Sequence, residues 1–324
     1  LRRFKMSFFE LGSAKKSELK DFYDVTIIGA GPGGITAGIY AVQAGLNPLI
    51  IEKALDGGQM NNTQTVENWT GFASISGMEL SEKMADHARE FDVPFTYAEV
   101  VDIDGEGQNK EVILDNGKKI KSRVIVIATG SNPRKLGVMG EEDFKGRGVS
   151  YCATCDGHFF ADKHIAVIGG GNSALDESLY LSKMVSKITV VQNLPKLTAD
   201  KLLQKKLNDT GKVEYIYSSV VDSIEGDSQV RKINIKNVDS GEITSLEVDG
   251  IFVFIGLIPN TQFLKGKLEM NDFGYIKTDD FMETKTKGVY AIGDVREKEV
   301  RQIVTAAADG AIAIYHAARH YFSE

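Results

Sequence analysis

One motif occurs twice in this chain and limits what it can fold into. The apolar run Val25-Thr26-Ile27-Ile28 leads into Gly29-Ala30-Gly31-Pro32-Gly33-Gly34, then into a helix-patterned stretch through Ala44 that stops at Gly45, and Pro48-Leu49-Ile50-Ile51 follows, ending on Glu52. The same order returns with Ile165-Ala166-Val167-Ile168, Gly169-Gly170-Gly171-Asn172-Ser173-Ala174, a helical stretch to about Lys183, and Ile188-Thr189-Val190-Val191. Each copy is followed by an antiparallel-looking segment. In the first, Glu111 to Leu114 turns at Asp115-Asn116-Gly117 and returns through Arg123 to Gly130; in the second, Lys232 to Val238 turns at Asp239-Ser240-Gly241 and returns through Gly250 to Gly256.

Strand, glycine turn, helix, strand is the opening of a doubly wound α/β unit, so the chain predicts an α/β fold of two doubly wound nucleotide-binding (Rossmann-like) domains, the second inserted into the first. The boundaries expected are residues 1–20 for an N-terminal arm, 21–131 with 260–324 for the outer domain, and 132–259 for the inserted one. Met6 reads as the natural start, and the arm as loose chain or a short docked helix.

A length of 324 residues suits two domains, and 42% apolar with 26% charged residues supports ordinary cores. The net charge of −7 argues against a nucleic-acid or anionic-membrane binder, and no apolar run is long enough to span a bilayer. The two cysteines are too few to staple such a fold, which favours a reducing, cytoplasmic setting.

Gly29, Gly31 and Gly34 have dinucleotide spacing, with Glu52 at the next strand end placed to accept hydrogen bonds from ribose hydroxyls. Near the other end, Val289-Tyr290-Ala291-Ile292 delivers Gly293-Asp294, where a carboxylate can bind a polyol or merely cap a turn. Cys152-Ala153-Thr154-Cys155 has the spacing of reversible dithiol chemistry, one thiolate attacking and the other resolving a mixed disulfide. A structural zinc site needs four ligands, and with no further cysteine and five histidines the metal reading is set aside. Asp156 can serve as acid or base to a thiol if its surroundings raise its pKa from about 3.9; a turn residue is the alternative. His158 and His164 read as structural.

These residues resemble the low-molecular-weight thioredoxin reductases, FAD-containing members of the pyridine-nucleotide disulfide oxidoreductase group, over nearly the whole chain after Phe22. The resemblance rests on the first glycine turn, Gly57-Gly58-Gln59-Met60, Val66-Glu67-Asn68-Trp69, Ala128-Thr129-Gly130, Cys152 to Gly157, Gly293-Asp294-Val295 and Arg301-Gln302. It implies FAD in the first domain. Gly29, Gly31, Pro32, Gly33 and Gly34 would lie on its pyrophosphate, Glu52 on its ribose, and Gln59, Asn68, Asp294 and Gln302 near the flavin or ribityl chain. Lys53, Gly58, Ala128, Thr129, Gly130, Gly293, Arg301 and Ile303 would complete the site. It further implies that Cys155 faces the flavin, Cys152 attacks the disulfide of thioredoxin, Asp156 moves the proton, and the protein is a homodimer.

The second glycine turn departs from that pattern. Gly169, Gly171, Asn172, Ser173 and Ala174 keep the dinucleotide form, but Gln192 stands where the first unit has Glu52, and Gln192-Asn193-Leu194-Pro195-Lys196 replaces the histidine and two arginines typical of the family. A 2′-hydroxyl calls for an acid there and a 2′-phosphate for arginine. Either the pocket takes NADPH or NADH through neutral donors and lysine, or it has lost its nucleotide and another donor reduces the flavin; the chain resembles at this spot the family members without the arginine pair, which implies ferredoxin or a reduced deazaflavin as donor, the reading preferred here. From a ferredoxin near about −400 mV to a dithiol near about −270 mV, two electrons descend by roughly 6 kcal/mol. Lys196, Lys201, Lys205 and Lys206 would give an acidic donor a docking patch, or form an ordinary solvated face. A flavin-dependent thiol oxidase, running the same dithiol backwards onto oxygen, is a further alternative.

Overall fold

The structure, a computed structural model, describes residues 19–63 and 66–323; the arm up to residue 18, Met6 included, lies outside the described residues. The chain opens with β1 (Phe22–Ile28), α1 (Pro32–Gln43) and β2 (Pro48–Glu52), β1 lying parallel to β2 with Ile27 opposite Ile50. Pro32 begins α1 where a missing N–H costs nothing, and no side chain caps the helix, so its first amides stay free. After α2 (Gly77–Glu90), capped by the Ser76 side chain, come β3 (Phe95–Tyr97), β4 (Val100–Glu106), β5 (Asn109–Leu114) and β6 (Lys119–Ile127). β6 is antiparallel to β5 over its first half and parallel to β1, so the hairpin runs unbroken into the main sheet.

The chain leaves through β7 (Ser131–Pro133) into a second body built from β8 (Val149–Ser150), α3 (Ala153–Asp156), β9 (His164–Ile168), α4 (Asn172–Leu181), β10 (Lys187–Val191), α5 (Lys201–Asn208) and β11 (Val213–Ile216). A meander of β12 (Ser219–Gly226), β13 (Val230–Asn237) and β14 (Ile243–Glu247) follows, then β15 (Gly250–Val253). The parallel sheet has the order β11-β10-β9-β15-β8. Here the sequence expectation of one return strand is corrected: β14 pairs with β13 and β15 with β9, in different sheets. The break falls at Asp249, whose N–H donates to His164 O and whose carboxylate accepts the His164 N–H at 3.0 Å, redirecting the chain from one sheet to the other.

β16 (Leu257–Pro259) returns antiparallel to β7, so the two crossings form one short ribbon. β17 (Val289–Ala291) then joins β6 in parallel, and α6 (Ile303–Tyr321) packs against α1. The outer sheet runs β3-β2-β1-β6-β5-β4 with β17 also on β6. Its inner strands are apolar on both faces because helices cover one side and the antiparallel segment the other. Along β6, Val124 and Val126 join the core with Ile35 of α1 and Ile314 of α6, while Ile125 and Ile127 pack the opposite face with Leu49 and Leu114. Each such side chain contributes roughly 1.5–3 kcal/mol relative to exposure. Among the described residues no helix is long and apolar enough to cross a membrane.

Candidate active site

A single cavity of about 1110 Å³ begins at the first glycine turn and ends at the two cysteines. Every residue that the sequence assigned to the first nucleotide site lines it except Gly34, which lies beneath the turn against the Gly29 carbonyl. Gly29 has φ +109°, and a Cβ there would fall 2.4 Å from Ala128 O, so the turn and the end of β6 fit only with glycine. Glu52 ties the turn to β2: one carboxylate oxygen accepts the Ala30 N–H at 2.7 Å, the other the N–H groups of Lys53 and Ala54 at 2.8 and 2.9 Å. At the far side Asn68 donates to Gln302 at 3.0 Å, and Gln302 caps α6. Burial pushes the Asp294 carboxyl up, against the opposing pull of Arg301 and Lys298. Asp309 and Lys298 were not legible beforehand: the Asp309 carboxylate accepts the Gly293 N–H at 2.9 Å and the Lys298 ammonium at 2.8 Å, holding the turn from behind.

Cys152 and Cys155 are joined in a disulfide with their Cα atoms 5.3 Å apart, and both line the cavity with Asp156. Cys152 caps α3, its Sγ accepting the Cys155 N–H at 3.2 Å with the Thr154 hydroxyl 3.5 Å away. Burial raises the Asp156 carboxyl, while the Ser150 hydroxyl, donating to it at 2.6 Å, and His158 pull it back down. His158 makes a contact far along the chain, its Nδ1 4.0 Å from a Glu67 carboxylate oxygen. His164, by contrast, only pairs with the Thr189 hydroxyl inside its sheet at 2.9 Å. A third feature without sequence signal is Glu141, 2% exposed, which accepts the N–H groups of Leu136 and Gly137 and the Tyr151 hydroxyl, each at 2.7 Å. Among the described residues no cluster of three or more His, Cys, Asp or Glu side chains is arranged to hold a metal ion.

The second glycine turn lies outside this cavity. Gly169 repeats the geometry of Gly29, with φ +124° and a Cβ position 2.4 Å from Phe254 O, and α4 likewise starts without a side-chain cap. Its surroundings differ. Gln192 is 4% exposed and folds over Gly170, where a Cβ would fall 2.7 Å from the Gln192 Cδ, and its amide donates to Lys196 O at 3.3 Å. Thr198 closes the same edge, its N–H donating to Gly170 O at 2.9 Å, and Asn172 is locked to Asp200 by two hydrogen bonds of 3.0 and 2.8 Å. Ser173 is exposed, and Ala174 is buried under the turn. The structure thus gathers these second-site residues around one helix start, with the neutral Gln192 side chain folded inward and Asn172 and Ser173 exposed.

Residues 23–310 match the family described as pyridine nucleotide-disulphide oxidoreductase. The chain belongs to that family. Within it, the chain is 43% identical over 303 residues to thioredoxin reductase of Bacillus subtilis, covering 93% of this chain and 95% of that protein. The structure is similar to thioredoxin reductase of Streptococcus pyogenes, with 43% identity, a TM-score of 0.87 and 93% and 99% of the two chains covered. It is also similar to thioredoxin reductase of Lactococcus lactis in what is titled its FR conformation, with 42% identity, a TM-score of 0.64 and 92% and 98% covered. The chain is an oxidoreductase of the low-molecular-weight thioredoxin reductase type.

FAD is the cofactor of these pyridine nucleotide-disulphide oxidoreductases, and the first site fits it. The uncapped amides of α1 suit a pyrophosphate, and Gly31 has open space where a Cβ would stand. Arg301 lines the cavity with a buried Nε that has no partner, its guanidinium 4.4 Å over the Tyr275 ring. Asp294 makes no hydrogen bond among the described residues, which leaves its carboxyl for a ligand hydroxyl.

Proposed function

We propose that this protein reduces the disulfide of thioredoxin through Cys152 and Cys155, using FAD and a donor other than NADPH. The observation that carries the reading is the shared cavity, which puts the dithiol at one end of the site that fits FAD. Bound there, FAD supplies an electron pair to the neighbouring disulfide. Gly29 to Gly34 would hold its pyrophosphate and Glu52 its ribose, while Gln59, Asn68, Asp294 and Gln302 would lie toward its flavin or ribityl chain. After reduction, the Cys152 thiolate attacks one sulfur of the partner disulfide and the other partner sulfur leaves, taking a proton. The Cys155 thiolate then attacks Cys152 in the mixed disulfide, which re-forms the Cys152–Cys155 bond and releases the partner as a dithiol.

Gln192 supports the choice of donor. An amide buried against Gly170 offers neither the carboxylate that a ribose 2′-hydroxyl prefers nor the cation that a 2′-phosphate needs. Reduced ferredoxin is the favoured donor and a reduced deazaflavin the next. Lys196, Lys201, Lys205 and Lys206 are exposed and in no salt bridge among the described residues, which gives an acidic iron–sulfur protein a place to dock on an otherwise acidic chain. One observation favours the conventional NADPH- or NADH-dependent reading: the second turn keeps the positive φ of Gly169 and an uncapped helix start. A cytoplasmic homodimer is the form in which this reductase would work.

The test is anaerobic mixing of the yellow protein with NADPH, NADH and reduced ferredoxin in turn, followed by thioredoxin. The expected result is bleaching of the visible flavin band by ferredoxin alone and thioredoxin reduction thereafter, lost in Cys152→Ser with flavin retained. Bleaching by NADPH within milliseconds overturns the donor assignment, full turnover by Cys152→Ser overturns the dithiol assignment, and rapid peroxide formation from a dithiol substrate marks a thiol oxidase instead.

A further inference from the structure

We propose that Ser150 is the positioning residue that holds Asp156 beside Cys152 as its proton donor and acceptor, an inference that rests on the dithiol role proposed above. Ser150 is the last residue of β8, paired with Phe252 of β15 and 4% exposed. A hydroxyl has one hydrogen and two acceptor positions. Two acceptors stand within reach of the hydrogen, the Asp156 carboxylate at 2.6 Å and the Cys152 carbonyl at 3.2 Å, of which the nearer and charged one is the stronger, and the oxygen accepts the Cys152 N–H at 3.1 Å. The carboxyl of the acid is therefore bridged to the backbone of the attacking cysteine through one side chain that the sheet holds still. A buried strand end of this kind would otherwise favour a small apolar residue, because a hydroxyl out of water is costly unless both its functions are used.

The proton balance follows from that bridge. When two electrons from the flavin open the Cys152–Cys155 bond, each sulfur leaves with an electron pair, and the Cys152 sulfur takes the proton carried by Asp156. The carboxylate that remains keeps the Ser150 hydrogen bond, which favours the charged form and sets it against the burial that raises this carboxyl. In the outward half of the cycle the carboxylate takes the proton back, and Cys152 attacks as a thiolate. Of the other titratable groups, His158 acts on Asp156 and itself faces Glu67, while Cys152 and Cys155 are the sulfurs being served.

The experiment uses the dithionite-reduced holoenzyme and follows alkylation of Cys152 by iodoacetamide against pH, resolved by mass spectrometry, so that the readout needs no partner and no turnover. In the unmodified protein the profile should show a midpoint that Asp156→Asn removes. Ser150→Ala should move that midpoint upward by about one to two pH units, the loss of one hydrogen bond to a charged acceptor. Ser150→Thr, which keeps a hydroxyl, should restore it. A midpoint unmoved in Ser150→Ala, a uniform change of rate at every pH, or no Asp156-dependent midpoint in the unmodified protein overturns the proposal. If thioredoxin is not reduced although the midpoint moves as expected, the proposed substrate fails and the role of Ser150 stands. If thioredoxin is reduced and the midpoint stays fixed, only the role of Ser150 falls.

Discussion

Glu52, the last residue of β2, and Gln192, the first after β10, hold equivalent places in the two units and do opposite things. Glu52 accepts the Ala30 N–H of the first turn and the N–H groups of Lys53 and Ala54, whereas Gln192 folds over the second turn. A hydrogen bond to a charged acceptor is worth about 1.5–3 kcal/mol. Glu52→Ala should therefore loosen the turn and lower flavin retention after dialysis at least about tenfold, read from the visible absorbance per chain; an unchanged flavin content would refute this role for the carboxylate. Glu52 is legible in the sequence because an acid at a strand end has a fixed offset from its glycine turn. Ser150 and Asp309 are not, since each acts through contacts set by packing: a hydroxyl before a cysteine, or an acid inside a helix, carries no periodic signal.

At the level of elements, the repeated strand–turn–helix order was readable because both sheets bury their central strands on two faces, which demands the continuous apolar runs. The break between β14 and β15 was not readable, because the sequence from Ile243 to Val253 gives no warning that Asp249 will pair with His164 and switch sheets. A comparable polar tie fastens β17 to the end of α6. Glu283 is 3% exposed; burial raises its carboxyl, but the Gly288 N–H, the Lys287 ammonium and the Tyr321 hydroxyl together bring it below its ordinary value. A carboxylate with a depressed folded-state pKa stabilises the fold above its unfolded value, about 4.3, and that contribution is lost as pH falls through the folded one. Glu283→Gln should cost about 1–3 kcal/mol in urea unfolding at pH 7, and the gap from the unmodified protein should narrow below about pH 4. A gap that stays constant with pH would show that size and shape, not charge, are what matters there.

At the scale of the whole molecule, two glycine turns foretell two domains, whereas the facing of the cysteines of one toward the ligand site of the other is implied only by the family resemblance and by no pattern within the chain. That arrangement comes from contacts between residues far apart in the chain: Lys145 donates to Asn62 at 3.2 Å, and His158 stands 4.0 Å from Glu67. It also sets a requirement. Cys152 and Cys155 are half-buried in the wall of a cavity that also fits the cofactor, so attack on the disulfide of a folded protein is expected to use a second arrangement. The crossings β7 and β16 form one ribbon, and each strand is preceded by a glycine, Gly130 at φ +66° before β7 and Gly256 at φ +108° before β16, both with open space where a Cβ would stand. The Lys145–Asn62 and His158–Glu67 contacts are both polar and at least partly exposed, each worth no more than about 1 kcal/mol, so they oppose a rotation of the inserted part only weakly. Cys155→Ser, mixed with a thioredoxin that lacks its own resolving cysteine and carries its remaining cysteine as the thionitrobenzoate mixed disulfide, should give the Cys152–thioredoxin disulfide as the Cys152 thiolate displaces thionitrobenzoate. Small-angle X-ray scattering from that trapped complex should then fit only with the inserted domain turned away from the outer one. A profile fitted by the present arrangement, with thioredoxin simply added to its surface, would mean that the dithiol is reached without domain rotation.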